Sequence, residues 1–142
     1  MTNVPASREF KGRGLVPGVA RGPALVSWDA ISFLGDVDIR SGRIVGDLPS
    51  VKGACVAGTI LIMPTSRGSA GAWRFIYQME KHGTHPLAML FGGIPDPSVV
   101  QGAILAGIPV IANVPAELAK IITSGEPLEV DGESGMVRCM NI

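Results

Sequence analysis

Arg67, Gly68 and Ser69, with Ser66 just before them, are the residues of this chain best suited to chemistry. They bring a guanidinium and two hydroxyls into one short polar stretch, Pro64-Thr65-Ser66-Arg67-Gly68-Ser69-Ala70-Gly71, able to hold an anion. Before it runs Ile60-Leu61-Ile62-Met63, an apolar segment that reads as a buried strand stopped by Pro64. After it the apolar spacing becomes helical up to about His82. A loop placed between a strand and a helix N-terminus gathers backbone N–H groups at the positive end of the helix dipole. The stretch is therefore a candidate anion site. On the residues alone a second reading stays open, in which Gly68-Ser69 is plain loop and helix N-cap, because serine is a preferred capping residue. A Ser-His-Asp triad is not indicated: the Gly-x-Ser-x-Gly elbow is absent and no histidine stands as an evident base.

The elements that must position this loop follow from the rest of the chain. Glycines and small residues interleaved with Val, Ala and Leu from Gly12 to Val26 suggest strands of a tightly curved or barrel-like sheet, where glycine lets backbones approach closely. Ile31 to Ile44 reads as a loop with a turn at Ser41-Gly42. Its Asp36 and Asp38 are read either as turn formers or as part of an active-site or interface loop; the further oxygen ligands of a calcium loop are missing. The helix after Gly71 carries Ala72, Phe75, Ile76 and Met79 on an apolar stripe and Arg74, Gln78 and Lys81 largely opposite. His82 and His85 close it, with Gly83 as the C-terminal stop and no third metal ligand nearby. Pro86 to Phe91 is a short buried strand, Asp96-Pro97 starts a helix over Ser98 to Ala106 closed by Gly107, and Ile108 to Ala112 is another strand. Strand, helix, strand, helix, strand is an α/β pattern, and the right-handed crossover rule favours a parallel arrangement of its three strands. Leu128 to Cys139 alternates about a Gly-containing turn and reads as a hairpin.

Composition bounds the function. The 142 residues suit one domain with its own core. Twelve basic residues balance twelve acidic ones without long runs of either sign, so nucleic-acid binding is not expected. The longest apolar runs fall short of the roughly 18 to 20 residues needed to span a bilayer, and the polar start Met1 to Lys11 does not resemble a signal peptide. A cytoplasmic protein without membrane contact is expected. Cys55 and Cys139 are too few for a disulfide framework or for holding zinc or an iron–sulfur cluster unaided, and Cys55 is expected in the core.

The same residues carry a resemblance. Gly12-Arg13, the Gly18-x-Ala20-x-Gly22-x-Ala24-Leu25 run, Ser32-Phe33-x-Gly35-Asp36-Val37-Asp38 with Gly42, Pro64-x-x-Arg67-Gly68-Ser69, and Gly102-Ala103-Ile104-Leu105-Ala106-Gly107-Ile108-Pro109 together resemble the small, swivelling-domain subunit of the aconitase X family. The likeness covers nearly the whole chain, in order. It implies a single swivelling β/β/α domain over 1–142, of the aconitase superfamily small-domain type, with parallel strand-helix-strand units and a barrel-like β portion. It further implies a hydro-lyase subunit, inactive without an aconitase-X-type large subunit that supplies the iron or iron–sulfur cluster. The expected substrate is a small anionic hydroxy acid, foremost cis-3-hydroxy-L-proline, with mevalonate 5-phosphate as the alternative. In the family the serine after the loop's glycine is the proton acceptor, which carries over to Ser69; Ser66, Arg67 and Gly68 are the candidates for holding the substrate, and no metal ligand is assigned to this chain.

One segment departs from the family pattern. Members often have a second hydroxyl residue after the serine and a Gly-Ser pair further on, whereas this chain has Ala70 and then Ala72-Trp73. Those changes leave open an altered pocket wall, and with it a non-catalytic swivelling or docking domain. Trp73 is read equally as pocket wall, interface anchor or packing residue.

Overall fold

A computed structural model describes residues 8–66 and 70–140 of the chain. Eight strands and three helices follow one another as β1 (Glu9–Lys11), β2 (Arg13–Val16), β3 (Val19–Val26), β4 (Ile60–Met63), α1 (Ala72–His82), β5 (Ala88–Phe91), α2 (Pro97–Ala106), β6 (Val110–Ala112), α3 (Ala116–Ile121), β7 (Pro127–Asp131) and β8 (Met136–Cys139). The strands line up in the order β1-β8-β7-β3-β4-β5-β6-β2.

β3 joins the two halves of this order. Its first part, Val19 to Pro23, pairs antiparallel with β7, and its last part, Ala24 to Val26, pairs parallel with β4. Pro23, which offers no N–H, falls where the partner changes, a place a sheet tolerates proline. β4, β5 and β6 then run parallel, as the crossover rule requires of strands joined by α1 and α2. Every residue of these three strands is buried. Alternate side chains go to opposite faces, which is why the strands read as unbroken apolar runs. Leu61, Met63, Met89 and Phe91 pack beneath α1 and α2, whereas Ile60, Ile62, Leu90 and Ile111 pack toward α3 and the β7–β8 hairpin.

The expected barrel-like portion comes from the two ends of the strand order. β1 and β2 lie at opposite ends, yet only Gly12 separates them in the chain, so the sheet curls back on itself. At the seam β2 crosses the hairpin with almost no space between backbones. A Cβ at Gly14 would lie 2.2 Å from the Gly132 carbonyl oxygen, and one at Gly132 would lie 2.0 Å from that of Val16. The glycines are there for close approach, as their spacing suggests.

Between β3 and β4 the chain makes no long strand, but it is pinned by its own buried residues, Ile31, Phe33, Val37, Ile44, Leu48, Val51 and Val56. Asp36 is buried and accepts the Ser32 N–H at 2.8 Å, while Asp38 accepts the Ser41 hydroxyl at 2.7 Å. That hydroxyl holds the Asp38 carboxyl below the usual carboxylate range. Both acids thus form turns.

The helices begin and end where the sequence signals place them. Asp96 caps α2, its carboxylate accepting the Ser98 N–H at 2.9 Å, and Pro97 takes the first helical position. Gly83 and Gly107 close α1 and α2 in the left-handed region, at φ 72° and 73°. Asp96→Ala is expected to cost about 1 kcal/mol of stability through the lost cap, read as a lower denaturant midpoint at unchanged slope. α3 has no counterpart in the sequence reading. It is one short turn-and-a-half with a single fully buried residue, Leu118, too little periodicity to register.

One expectation is corrected and one open reading is narrowed. Cys55 is half-buried rather than in the core, its Sγ 3.3 Å from the Ser41 carbonyl; the fully buried thiol is Cys139, whose pKa is raised by burial. And α1 takes Gly71 as its N-cap, so the cap position falls after Ser69.

Candidate functional site

The C-terminal ends of the parallel strands form one edge of the molecule, the side of an α/β sheet where ligands commonly bind. A crevice of about 400 Å³ opens there, lined among others by Trp28, Pro64, Gly92, Gly93, Pro115 and Lys120. Its walls are mainly apolar, and Lys120 is the only charged residue among the described lining residues. The candidate loop leaves β4 at the crevice rim, through Pro64.

Arg67, Gly68 and Ser69 lie outside the described residues, but both flanks of their loop are seen. On the incoming side the Gly92 and Gly93 N–H groups donate to the Met63 and Pro64 carbonyls, each at 3.0 Å. Ser66 bridges to Ile31 in parallel fashion, is buried, and accepts the Asp96 N–H on its Oγ at 3.1 Å. The segment holding Asp36 therefore runs beside the loop. On the outgoing side the Ser98 hydroxyl donates to the Ala70 carbonyl at 3.0 Å and accepts the Trp73 N–H at 3.1 Å.

The amides at the start of α1 are less available than the sequence suggests. Gly71 offers no side-chain cap, so the Trp73 N–H is taken by Ser98 from α2, and the Arg74 N–H by the Gly71 carbonyl at 3.1 Å. The dipole of an eleven-residue helix still points its positive end at the loop. Neither Asp96 nor Ser98 stands out in the sequence as part of the site. Asp96-Pro97 signals only a helix start, and contact between two helix N-termini has no sequence signature.

The departing segment can now be placed. Ala72, which stands where members often have the glycine of the Gly-Ser pair, is buried in the core with Ile76 and Met79, so that change concerns packing rather than the pocket wall. Ala70 is exposed. Trp73 is half-buried, with the Arg74 guanidinium 5.6 Å from its ring centre. Its Cα sits so close to α2 that a Cβ on Gly102 would come within 2.9 Å of it.

His82 Nδ1 lies 3.0 Å from the Gln78 carbonyl and serves the helix end. Among the described residues no three His, Cys, Asp or Glu side chains converge as a metal site. The two cysteines sit in separate parts of the fold, Cys55 beside Ser41 and Cys139 on β8. The described residues of this chain therefore do not fit an iron or iron–sulfur centre. None of the helices among them is long and apolar enough to cross a membrane.

This architecture, a curled sheet with a parallel edge and a serine-bearing loop leading into α1, is that of a swivel domain. The chain belongs to the aconitase X swivel domain family, whose model matches residues 9–139. Among proteins it is similar to, the phosphomevalonate dehydratase small subunit of Methanocella arvoryzae is 40% identical over 129 residues, 91% of this chain and 97% of the relative. The protein of the same name from Pyrococcus furiosus is 39% identical over 129 residues, 91% of this chain and 93% of that one. The crystal structure of aconitase X from Thermococcus kodakaraensis in its holo-form superposes with a TM-score of 0.87 at 32% identity, covering 94% of this chain and 99% of that chain. Both relatives carry the name of the alternative dehydratase, not that of a cis-3-hydroxy-L-proline dehydratase.

Proposed function

We propose that this chain is the small subunit of a dehydratase acting on mevalonate 5-phosphate. The observation that carries the reading is the 40% identity, over 97% of its length, to a protein named phosphomevalonate dehydratase small subunit. Retention of Arg67-Gly68-Ser69 supports it.

In this reading Ser69 removes a proton from the carbon next to the substrate carboxylate. A serine hydroxyl is ordinarily a poor base, so its alkoxide needs stabilisation. The positive end of α1, the Arg67 guanidinium and exclusion of water by a second subunit supply it. Arg67, the Gly68 N–H and the Ser66 hydroxyl proton hold a substrate anion. Departure of the substrate hydroxyl is assisted outside this chain, whose described residues form no metal site. The direct test is activity of the reconstituted complex toward mevalonate 5-phosphate; no turnover by a stable complex would reject the reading.

A large-subunit partner is supported by the relatives' names and by α2. One side of this helix packs on α1 and the sheet through Val99 and Ala103, yet its outer side carries Ile104 and Leu105, 60% and 51% exposed. A helix apolar all round is normally buried. With Leu15, Ile94 and Val100 these residues line a groove of about 460 Å³, our candidate docking surface for the large subunit. Ile104→Glu combined with Leu105→Glu is expected to abolish co-purification of the two subunits while the free chain keeps its circular dichroism and melting temperature. Undiminished assembly would move the interface elsewhere.

A further inference from the structure

We infer that Ser98 is a positioning residue for the proton-abstracting serine, holding from α2 the loop that carries it; the inference rests on the reading of Ser69 as the base. Ser98 is buried in the first turn of α2. Its single hydroxyl is used twice, donating to the Ala70 carbonyl and accepting the Trp73 N–H, so it ties the end of the loop to the beginning of α1. Its own N–H donates to the Asp96 carboxylate, and the Asp96 N–H donates to Ser66. A continuous polar path, Ser66 to Asp96 to Ser98 to Ala70, thus runs round the first turn of α2. The three residues Arg67, Gly68 and Ser69 are strung between its two ends.

The anchor is rigid as well as well placed. α1 and α2 meet at Gly102, where even a methyl group would strike the Trp73 backbone, so α2 cannot shift without carrying the start of α1 with it. A helix usually takes its N-cap from its own chain. Here the cap position is Gly71, which has no side chain to offer, and the hydroxyl comes from the helix that also fixes the other flank of the loop. Ser98 therefore fixes the outgoing flank to the same first turn of α2 that holds the incoming one through Asp96. Misplacing a reacting group by about 1 Å costs on the order of 10²-fold in rate.

The test uses the two-subunit complex with mevalonate 5-phosphate. Ser98→Ala is expected to lower kcat by roughly 10- to 100-fold with KM within about twofold. The primary isotope effect for substrate deuterated next to the carboxylate should rise, because proton abstraction becomes more rate-limiting. Ser98→Thr, which keeps the hydroxyl, should recover most of the rate. Should Ser98→Ala fail to assemble, Ser98→Cys keeps the volume with a weak hydrogen-bonding group and is expected to show the same loss. Wild-type kcat in assembled Ser98→Ala or Ser98→Cys overturns the inference, and so does a loss that Ser98→Thr does not relieve. Ser69→Ala measured alongside separates the failures. Turnover retained by Ser69→Ala removes the base itself, whereas turnover abolished there but unchanged in the Ser98 variants removes only the positioning role.

Discussion

Ser69→Ala in the assembled complex is expected to lower kcat by roughly 10³-fold or more, with the two subunits still co-purifying. The reason is chemical rather than structural. Neither histidine lies at the loop: His82 is spent on the C-terminal end of α1 and His85 follows it before β5, away from the loop at the N-terminal end of the helix. Asp36, a buried carboxylate in the segment that runs beside the loop, is engaged with the Ser32 N–H. Removing the Ser69 oxygen leaves no base identified among the described residues to accept the proton. The fold, by contrast, should hardly respond. α1 starts at Ala72 with Gly71 as its cap, and the Trp73 amide is held by Ser98, so the helix start has an anchor on α2. A capping role would show instead as about 1 kcal/mol of lost stability with turnover retained. Activity and stability thus separate the two readings that the sequence alone leaves open.

Gly132→Ala should have the largest effect on the fold. The new methyl group would lie 2.0 Å from the Val16 carbonyl oxygen, with Pro109 at 3.1 Å on another side. Those neighbours belong to backbone or a rigid ring, and the Gly132 N–H is itself committed to the Gly18 carbonyl at 2.7 Å. Relief therefore requires β2 to lift off the hairpin and the curl of the sheet to open. A loss of roughly 3 kcal/mol is expected, or a fall in melting temperature of roughly 10 °C for a chain of this size. Gly53→Ala provides the contrast. Gly53 has a left-handed φ of 82° but nothing within 4 Å of an added methyl group, so only backbone strain of about 1 kcal/mol is expected. Equal losses at the two positions would show that close approach at the seam matters less than those short distances imply.

The parts of this fold legible in the sequence are those governed by local rules. β4 ends at Pro64, α1 runs from Ala72 to His82 and α2 stops before Gly107 because proline, apolar periodicity and helix-stop glycine act over a few residues. The parallel order of β4, β5 and β6 follows from alternating strands and helices. The pairing of β1 with β8 and of β2 with β6, more than 90 residues apart in sequence, is set by tertiary contacts that no local pattern encodes. The same limit applies to the site. Serines, arginine and a helix start mark the loop, whereas its anchoring by Asp96 and Ser98 depends on how α2 docks against α1. Ala72 shows the converse. A residue change that leaves open an altered pocket wall proves, at Ala72, to be buried beneath the helix.

The central claim is tested most directly by combining this chain with an aconitase-X-type large subunit, purified without oxygen, and measuring dehydration of mevalonate 5-phosphate and of cis-3-hydroxy-L-proline in parallel. Turnover of mevalonate 5-phosphate is the expected result. A stable complex that dehydrates only cis-3-hydroxy-L-proline, or neither compound, would contradict the reading of this chain as a phosphomevalonate dehydratase subunit.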